Sequence, residues 1–244
     1  MSGLLYKHFR INYASFLFTV ISAAITGAVL IVFCIFIGPD GLSRGEDMQT
    51  EVVMSFTVMY YLAFLLPSLT STLLFQSDEK KVCAAFAMSV PPGGKGFIES
   101  KYWYILIQSL AVLFILFLAD TVSYGILRGQ FRAGSVLMLF FCWRLLISAI
   151  EVPFVVRFGS QKGIAIKGLV IAFVAMLLMI YLMFGDISWL INSDDPITAF
   201  KEWLESGKIL FPISLFPFIS CGAYFLSCKI SIKVFRKGAE NYEQ

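Results

Sequence analysis

Residues Tyr13–Ile37 read YASFLFTVISAAITGAVLIVFCIFI, a run without a single charged side chain. A helix needs about 20 mostly apolar residues to cross the hydrocarbon core of a bilayer, and this run is long enough. It exceeds the roughly 7–15 apolar residues of a secretory leader, and no A-x-A site follows it, so it is expected to remain as a membrane helix. Five more apolar stretches follow it: Val52–Phe75, Tyr102–Gly125, Ser135–Val156, Ile164–Gly185 and Ile209–Ser231. The whole chain is 59% hydrophobic and 14% charged. Soluble domains carry roughly 45–50% apolar and about 25% charged residues. That difference excludes a soluble enzyme domain, a disordered chain and a nucleic-acid-binding module. The expected fold is an all-α polytopic membrane protein, one transmembrane domain over residues 1–244 with six transmembrane helices.

The distribution of Lys and Arg sets the expected orientation. With six spans both termini share one side. That side holds Lys7, Arg10, Lys80, Lys81, Lys95, Lys101, Arg157, Lys162, Lys167, Lys229, Lys233, Arg236 and Lys237. The other side holds only Arg44, Arg128, Arg132, Lys201 and Lys208, and Arg144 lies within a span. The positive-inside rule then predicts both termini in the cytoplasm. The five cysteines (34, 83, 142, 221 and 228) form no C-x-x-C pair, and four of them sit in apolar stretches as small core residues.

The pieces between the spans have patterns of their own. Ser2–Asn12 mixes Leu4, Leu5, Tyr6, Phe9 and Ile11 with Lys7, His8 and Arg10, which predicts a short interfacial helix with its cations and His8 towards the lipid headgroups. The cytoplasmic loop Gln76–Ser100 is expected to be a helical protrusion. Ser77 caps it, Asp78 and Glu79 sit in its first turn, and Pro91-Pro92-Gly93-Gly94 breaks it near its end. A second short helix from about Phe97 then feeds the third span. Its Gly-Gly-Lys-Gly run lacks the G-x-x-x-x-G-K-[ST] spacing of a phosphate loop. In the outside loop 186–208, Asp195, Pro196 and Gly207 bracket an amphipathic helix over residues 196–206. Pro212 and Pro217 are expected to bend or split the sixth span.

Three ionisable residues fall inside spans: Asp120, Arg144 and Glu151. Charges at membrane depth normally face protein or water, and they mark possible translocation paths. Side chains lean towards a helix's N-terminus, so Arg144 on the fourth span and Asp120 on the antiparallel third are expected to meet as an ion pair. Glu151 lies two turns from Arg144 on the same face, on the side from which Arg144 is expected to lean away.

Two stretches carry a resemblance. The first is Phe75-Gln-Ser-Asp-Glu-Lys-Lys, followed by Ser89-Val-Pro-Pro and Phe97-Ile-Glu-Ser-Lys-Tyr102. The second is Pro153-Phe-Val-Val-Arg157-Phe158-Gly159-Ser-Gln-Lys-Gly. Both resemble the ABC-2 type permeases, in particular a small bacterial kind with six helices and no ATPase domain. Pro91-Pro92 departs from the more usual single proline, and Arg144 with Glu151 in span four is not part of the family pattern. The resemblance implies a permease subunit in a bacterial cell membrane, paired with a second permease, identical or homologous, and with two cytoplasmic ATP-binding subunits. Asp78, Glu79, Lys80, Lys81, Ser89, Pro91, Glu99 and Lys101 would then belong to the loop that couples to the ATPase. Pro153, Arg157, Phe158 and Gly159 would form the inner-end motif of helix 4. ATP and Mg would be bound by the partner, with no cofactor or metal on this chain. Members of this kind are linked to export of amphipathic or antimicrobial peptides.

Two other classes compete. A proton-coupled secondary transporter would use Asp120, Arg144 and Glu151, but such folds show repeated halves, and none is visible here. A membrane-embedded enzyme would need a nucleophile or metal motif. The sequence has no H-E-x-x-H and no G-x-S-x-G, and its one histidine lies outside the spans.

Overall fold

The computed structural model describes residues 2–42, 46–76, 93–129, 133–159 and 210–240, with scattered helical positions between 162 and 176. Among the described residues the fold is all helical, with α1 (Ser2–Ile11), α2 (Tyr13–Leu42), α3 (Glu46–Gln76), α4 (Gly93–Ile126), α5 (Gly134–Phe158) and α6 (Leu210–Glu240). Five of them, α2 to α6, contain stretches long and apolar enough to cross a membrane. Their outward surfaces carry the side chains that a lipid-facing wall requires, among them Phe18, Ile25, Phe36, Phe114 and Phe218.

Each element ends where its backbone chemistry demands. Asn12 separates α1 from α2, yet the amides of Asn12 and Phe16 bond back to the carbonyls of His8 and Asn12. The surface helix therefore passes into the first span almost without interruption. The helical geometry of α2 fails at Gly38 (φ 64°, ψ 168°). That left-handed value is open to glycine at little cost. At the end of α4, Arg128 N–H bonds to Gly125 O and Gly129 N–H to Tyr124 O, the two crossed bonds of a Schellman motif. It places Arg128 at φ 51° and Gly129 at φ 80°.

The longest helix, α4, is central and packs against all five others. Its approach to α2 is close: a Cβ on Gly27 would lie 3.1 Å from that of Ala119. The most extensive pairing is between α5 and α6.

Two expectations about breaks are corrected. The helix expected to begin near Phe97 starts at Gly93 and runs unbroken to Ile126. Gly93 (φ 60°) absorbs the turn, so Gly94, Lys95 and Gly96 are free to be helical. Of the bend or split expected in the sixth span, the split is absent: α6 is one helix through Pro217. Pro212 lies in its first turn, where the missing N–H has no intrahelical partner to lose. Most of the expected fifth span, the helix over residues 196–206, and Asp78, Glu79, Lys80, Lys81, Ser89 and Pro91 lie outside the described residues.

Candidate functional site

Polar and charged side chains are buried among the apolar ones inside the bundle, and α4 organises them. All three intramembrane ionisable residues are buried. The expected ion pair between two of them is not formed.

Asp120 on α4 accepts a hydrogen bond from the backbone N–H of Ala133 at 3.0 Å and from Tyr60 Oη on α3 at 3.3 Å. Ala133 is the N-cap residue of α5 and offers no side-chain cap. The first N–H groups of a helix have no internal partner, and the positive end of its dipole favours an anion. Asp120 therefore caps α5 from a neighbouring helix and ties the tight turn after α4.

Arg144 is the largest fully buried side chain described, at 1% exposure. Its Nη1 donates to Ser148 Oγ at 2.6 Å and its Nη2 to Pro67 O at 3.0 Å. Ser148 lies one turn further along α5, so Arg144 leans towards the helix C-terminus, against the usual direction. The carbonyl of Pro67 on α3 draws it there. Ala133 is eleven residues back along α5, about 16 Å of helix, which puts Asp120 out of reach. Glu151 lies further along α5 and is also buried.

The carbonyl of Pro67 also accepts from Thr70 Oγ1 at 3.2 Å. Gln108 Nε2 donates to Thr70 Oγ1 and to Thr19 Oγ1, both at 3.1 Å. A continuous polar belt thus runs Ser148–Arg144–Pro67–Thr70–Gln108–Thr19, across α5, α3, α4 and α2. Gln108 Oε1 and Arg144 Nε are buried without a hydrogen bond.

A second network joins α4, α5 and α6 around Pro153. Proline lacks the N–H that would bond the carbonyl four residues back, that of Ala149. Ser227 Oγ on α6 supplies the missing donor at 2.6 Å. Tyr102 Oη lies 2.7 Å from Ser227 Oγ and 2.8 Å from Ser231 Oγ. Ser227 has given its proton to Ala149 O, so Tyr102 donates to Ser227 and Ser231 donates to Tyr102. Tyr224 Oη closes the cluster on Tyr102 O at 2.7 Å. The motif continues into the end of α5, where Arg157 lies over the Phe158 ring at 5.1 Å. Gly159 (φ 88°) stops the helix, its N–H bonding Val155 O.

One placement at the end of the bundle that carries α1 corrects the sequence expectation. His8 does not face headgroups; it is 1% exposed, with its ring 5.8 Å from that of Phe97. Lys101, which the resemblance assigns to the coupling loop, is buried at 2% exposure, and Tyr102 beside it is buried in the serine cluster. Lys101 Nζ donates to Leu74 O at 3.3 Å, in the last turn of α3. Glu99 pairs with exposed Lys95 at 3.8 Å.

Gln108, Thr19, Thr70, Ser148, Ser227, Ser231 and Tyr224 were not singled out from the sequence. Gln108 was detectable as the single amide in the third span. The serines and threonines were not, because such residues sit in membrane helices by bonding their own backbone. An apolar cleft of about 790 Å³ opens between α4 and α5, lined by Leu110, Leu113, Phe114, Phe117, Gly134, Ser135 and Met138. None of Asp120, Arg144 and Glu151 lines it. Among the described residues no cluster of His, Cys, Asp or Glu is arranged to hold a metal ion.

Long apolar helices around a polar, charge-bearing interior define a multi-pass membrane protein. The family model described as ABC-2 family transporter protein matches residues 3–236. The chain belongs to that family, and it is a permease-type membrane subunit of an ABC transporter. No curated protein and no solved structure matches it.

Proposed function

We propose that this chain is the membrane-spanning half of an ATP-driven exporter that moves amphipathic or antimicrobial-type peptides out of a bacterial cell. The family match over residues 3–236 carries the proposal. Two permease chains, alike or homologous, would stand beside two ATP-binding subunits that hold ATP and Mg. Six spans with both termini in the cytoplasm complete the layout. In support, ring contacts of Phe97 with His8 and Phe235 bring α1, the start of α4 and the end of α6 to one end of the bundle. That end gathers Lys7, Lys95 and Arg236, as expected for a cytoplasmic face.

The segment between α3 and α4 is proposed as the coupling element, with Asp78, Glu79, Lys80 and Lys81 presenting charge to the ATPase and Ser89 and Pro91 shaping its return. The proton-coupled alternative draws on Asp120, Arg144 and Glu151. Asp120 is occupied as a helix cap and Arg144 as a bridge to Pro67, which favours a structural role for both.

The test is capture of the partner by a tagged chain from its native membrane. An ATP-binding subunit is expected to copurify, and the chain by itself is expected to show no ATP turnover. Charge reversal of both Asp78 and Glu79 should leave insertion intact, since exposed changes cost within about 0.5 kcal/mol. It should weaken partner capture or uncouple hydrolysis from transport. Unchanged assembly and unchanged substrate-dependent hydrolysis would refute the coupling assignment.

A further inference from the structure

In the sequence, residues 77–92 join the end of α3 to the start of α4. One side chain touches both roots. Lys101 Nζ lies 4.4 Å from the centre of the Phe75 ring on α3 and 4.7 Å from that of Phe97 on α4. It also donates to Leu74 O. The last carbonyls of a helix have no internal donor and carry the negative end of the dipole, so a cation there is favoured. Two aromatic faces add cation–π attraction, which strengthens where water is excluded.

Burial makes the arrangement specific. A lysine at a solvated loop root serves topology and can adopt many rotamers. Lys101 is buried, and so are Phe75 and Phe97, so the ammonium is withdrawn from bulk water beside these rings. Phe97 extends the joint further. Its ring lies 5.7 Å from that of Phe235 on α6 and 5.8 Å from that of His8 on α1, with Lys7 Nζ 5.9 Å from its centre. One residue on α4 thus ties the end of α3 directly, and α1 and α6 through a ring.

We propose that Lys101 is a positioning residue that locks the two roots of segment 77–92 together, so that a displacement of that segment moves α3 and α4 as one body. The consequence for transport rests on that segment being the coupling element; the lock itself does not.

The experiment pairs amide hydrogen exchange on the purified chain with transport by the complex. Lys101→Met keeps the apolar stem and removes the charge, and Lys101→Arg keeps a cation that can stack on both rings. In Lys101→Met, exchange of the last turn of α3 and the first turn of α4 is expected to rise at least fivefold, with α5 unchanged. Lys101→Arg should return it to within about twofold of the parent. In the complex with its ATP-binding subunit, Lys101→Met should retain hydrolysis while transport per ATP falls at least threefold. Phe75→Leu, which leaves charge and hydrogen bond in place, should give an intermediate rise in exchange and serves if the methionine variant does not fold. Unchanged exchange in Lys101→Met and Phe75→Leu overturns the lock. Raised exchange with undiminished transport per ATP overturns the transmission role. If the parent chain assembles with no ATP-binding subunit, the coupling assignment fails, and the exchange measurement still decides the lock.

Discussion

Ser227 and Pro153 lie on different helices and are linked through a single carbonyl. Ser227→Ala leaves Ala149 O buried without a donor, a loss of about 1–2 kcal/mol in a membrane interior. Pro153→Ala restores an N–H at the position that normally bonds Ala149 O. The two changes should therefore be strongly non-additive, with Pro153→Ala recovering most of the stability lost in Ser227→Ala. Thermal unfolding of the four proteins in detergent reads this directly, and additive shifts would show that Ser227 is not acting as the proline's substitute donor. The same logic run on Asp120 and Arg144 gives the opposite outcome. Their partners are separate, Ala133 and Tyr60 for one, Ser148 and Pro67 for the other. Alanine changes at the two sites should add within about 0.5 kcal/mol. A coupling energy well above that would restore the ion pair. Asp120→Asn, which keeps a carbonyl to accept from Ala133, should cost less than Asp120→Ala.

At the scale of elements, polar side chains serve helix ends and helix breaks. Asp120 serves the N-terminus of α5, Lys101 the C-terminus of α3, and Ser227 the gap that Pro153 opens in α5. Each relieves a backbone group that lipid could not satisfy. The turn between α4 and α5 is the place where this economy is incomplete. Arg128 holds φ 51° at the left-handed position of the Schellman motif, which favours glycine. A side chain there costs roughly 1–2 kcal/mol of steric strain. Arg128→Gly is expected to raise stability by about 1 kcal/mol, some of the gain being offset by the greater freedom of glycine in the unfolded chain. A Tm that falls in Arg128→Gly would mean that the arginine makes compensating contacts.

For the whole molecule the decisive quantity is orientation. The end of the bundle where α1, the start of α4 and the end of α6 meet is expected in the cytoplasm, and Cys83 belongs to the segment between α3 and α4 in the sequence. With the other four cysteines replaced, a membrane-impermeant thiol reagent should label Cys83 in inverted vesicles and not in intact cells. Rapid labelling from outside the cell would reverse the topology and remove the coupling segment from the reach of any ATPase.

Hydrophobic length alone determined much of this protein. A bilayer leaves the backbone no donor or acceptor but its own, so long apolar runs must be helices, and their approximate bounds follow from residue type. The starts of α2 and α5, and α1 as a separate short helix, were legible for that reason. What only tertiary structure decided is the partner of each polar group. Arg144 was assigned to Asp120 by charge and by the usual lean of a side chain. The carbonyl of Pro67 and the hydroxyl of Ser148 hold it instead, and neither announces itself in sequence, because a backbone carbonyl has no residue type. Polarity alone places His8 at the surface. It is buried, as Lys101 is, because aromatic rings from distant parts of the chain, Phe97 for His8 and Phe75 for Lys101, replace water around them. Residue type states what a side chain needs; only the packing of helices far apart in sequence decides what meets that need.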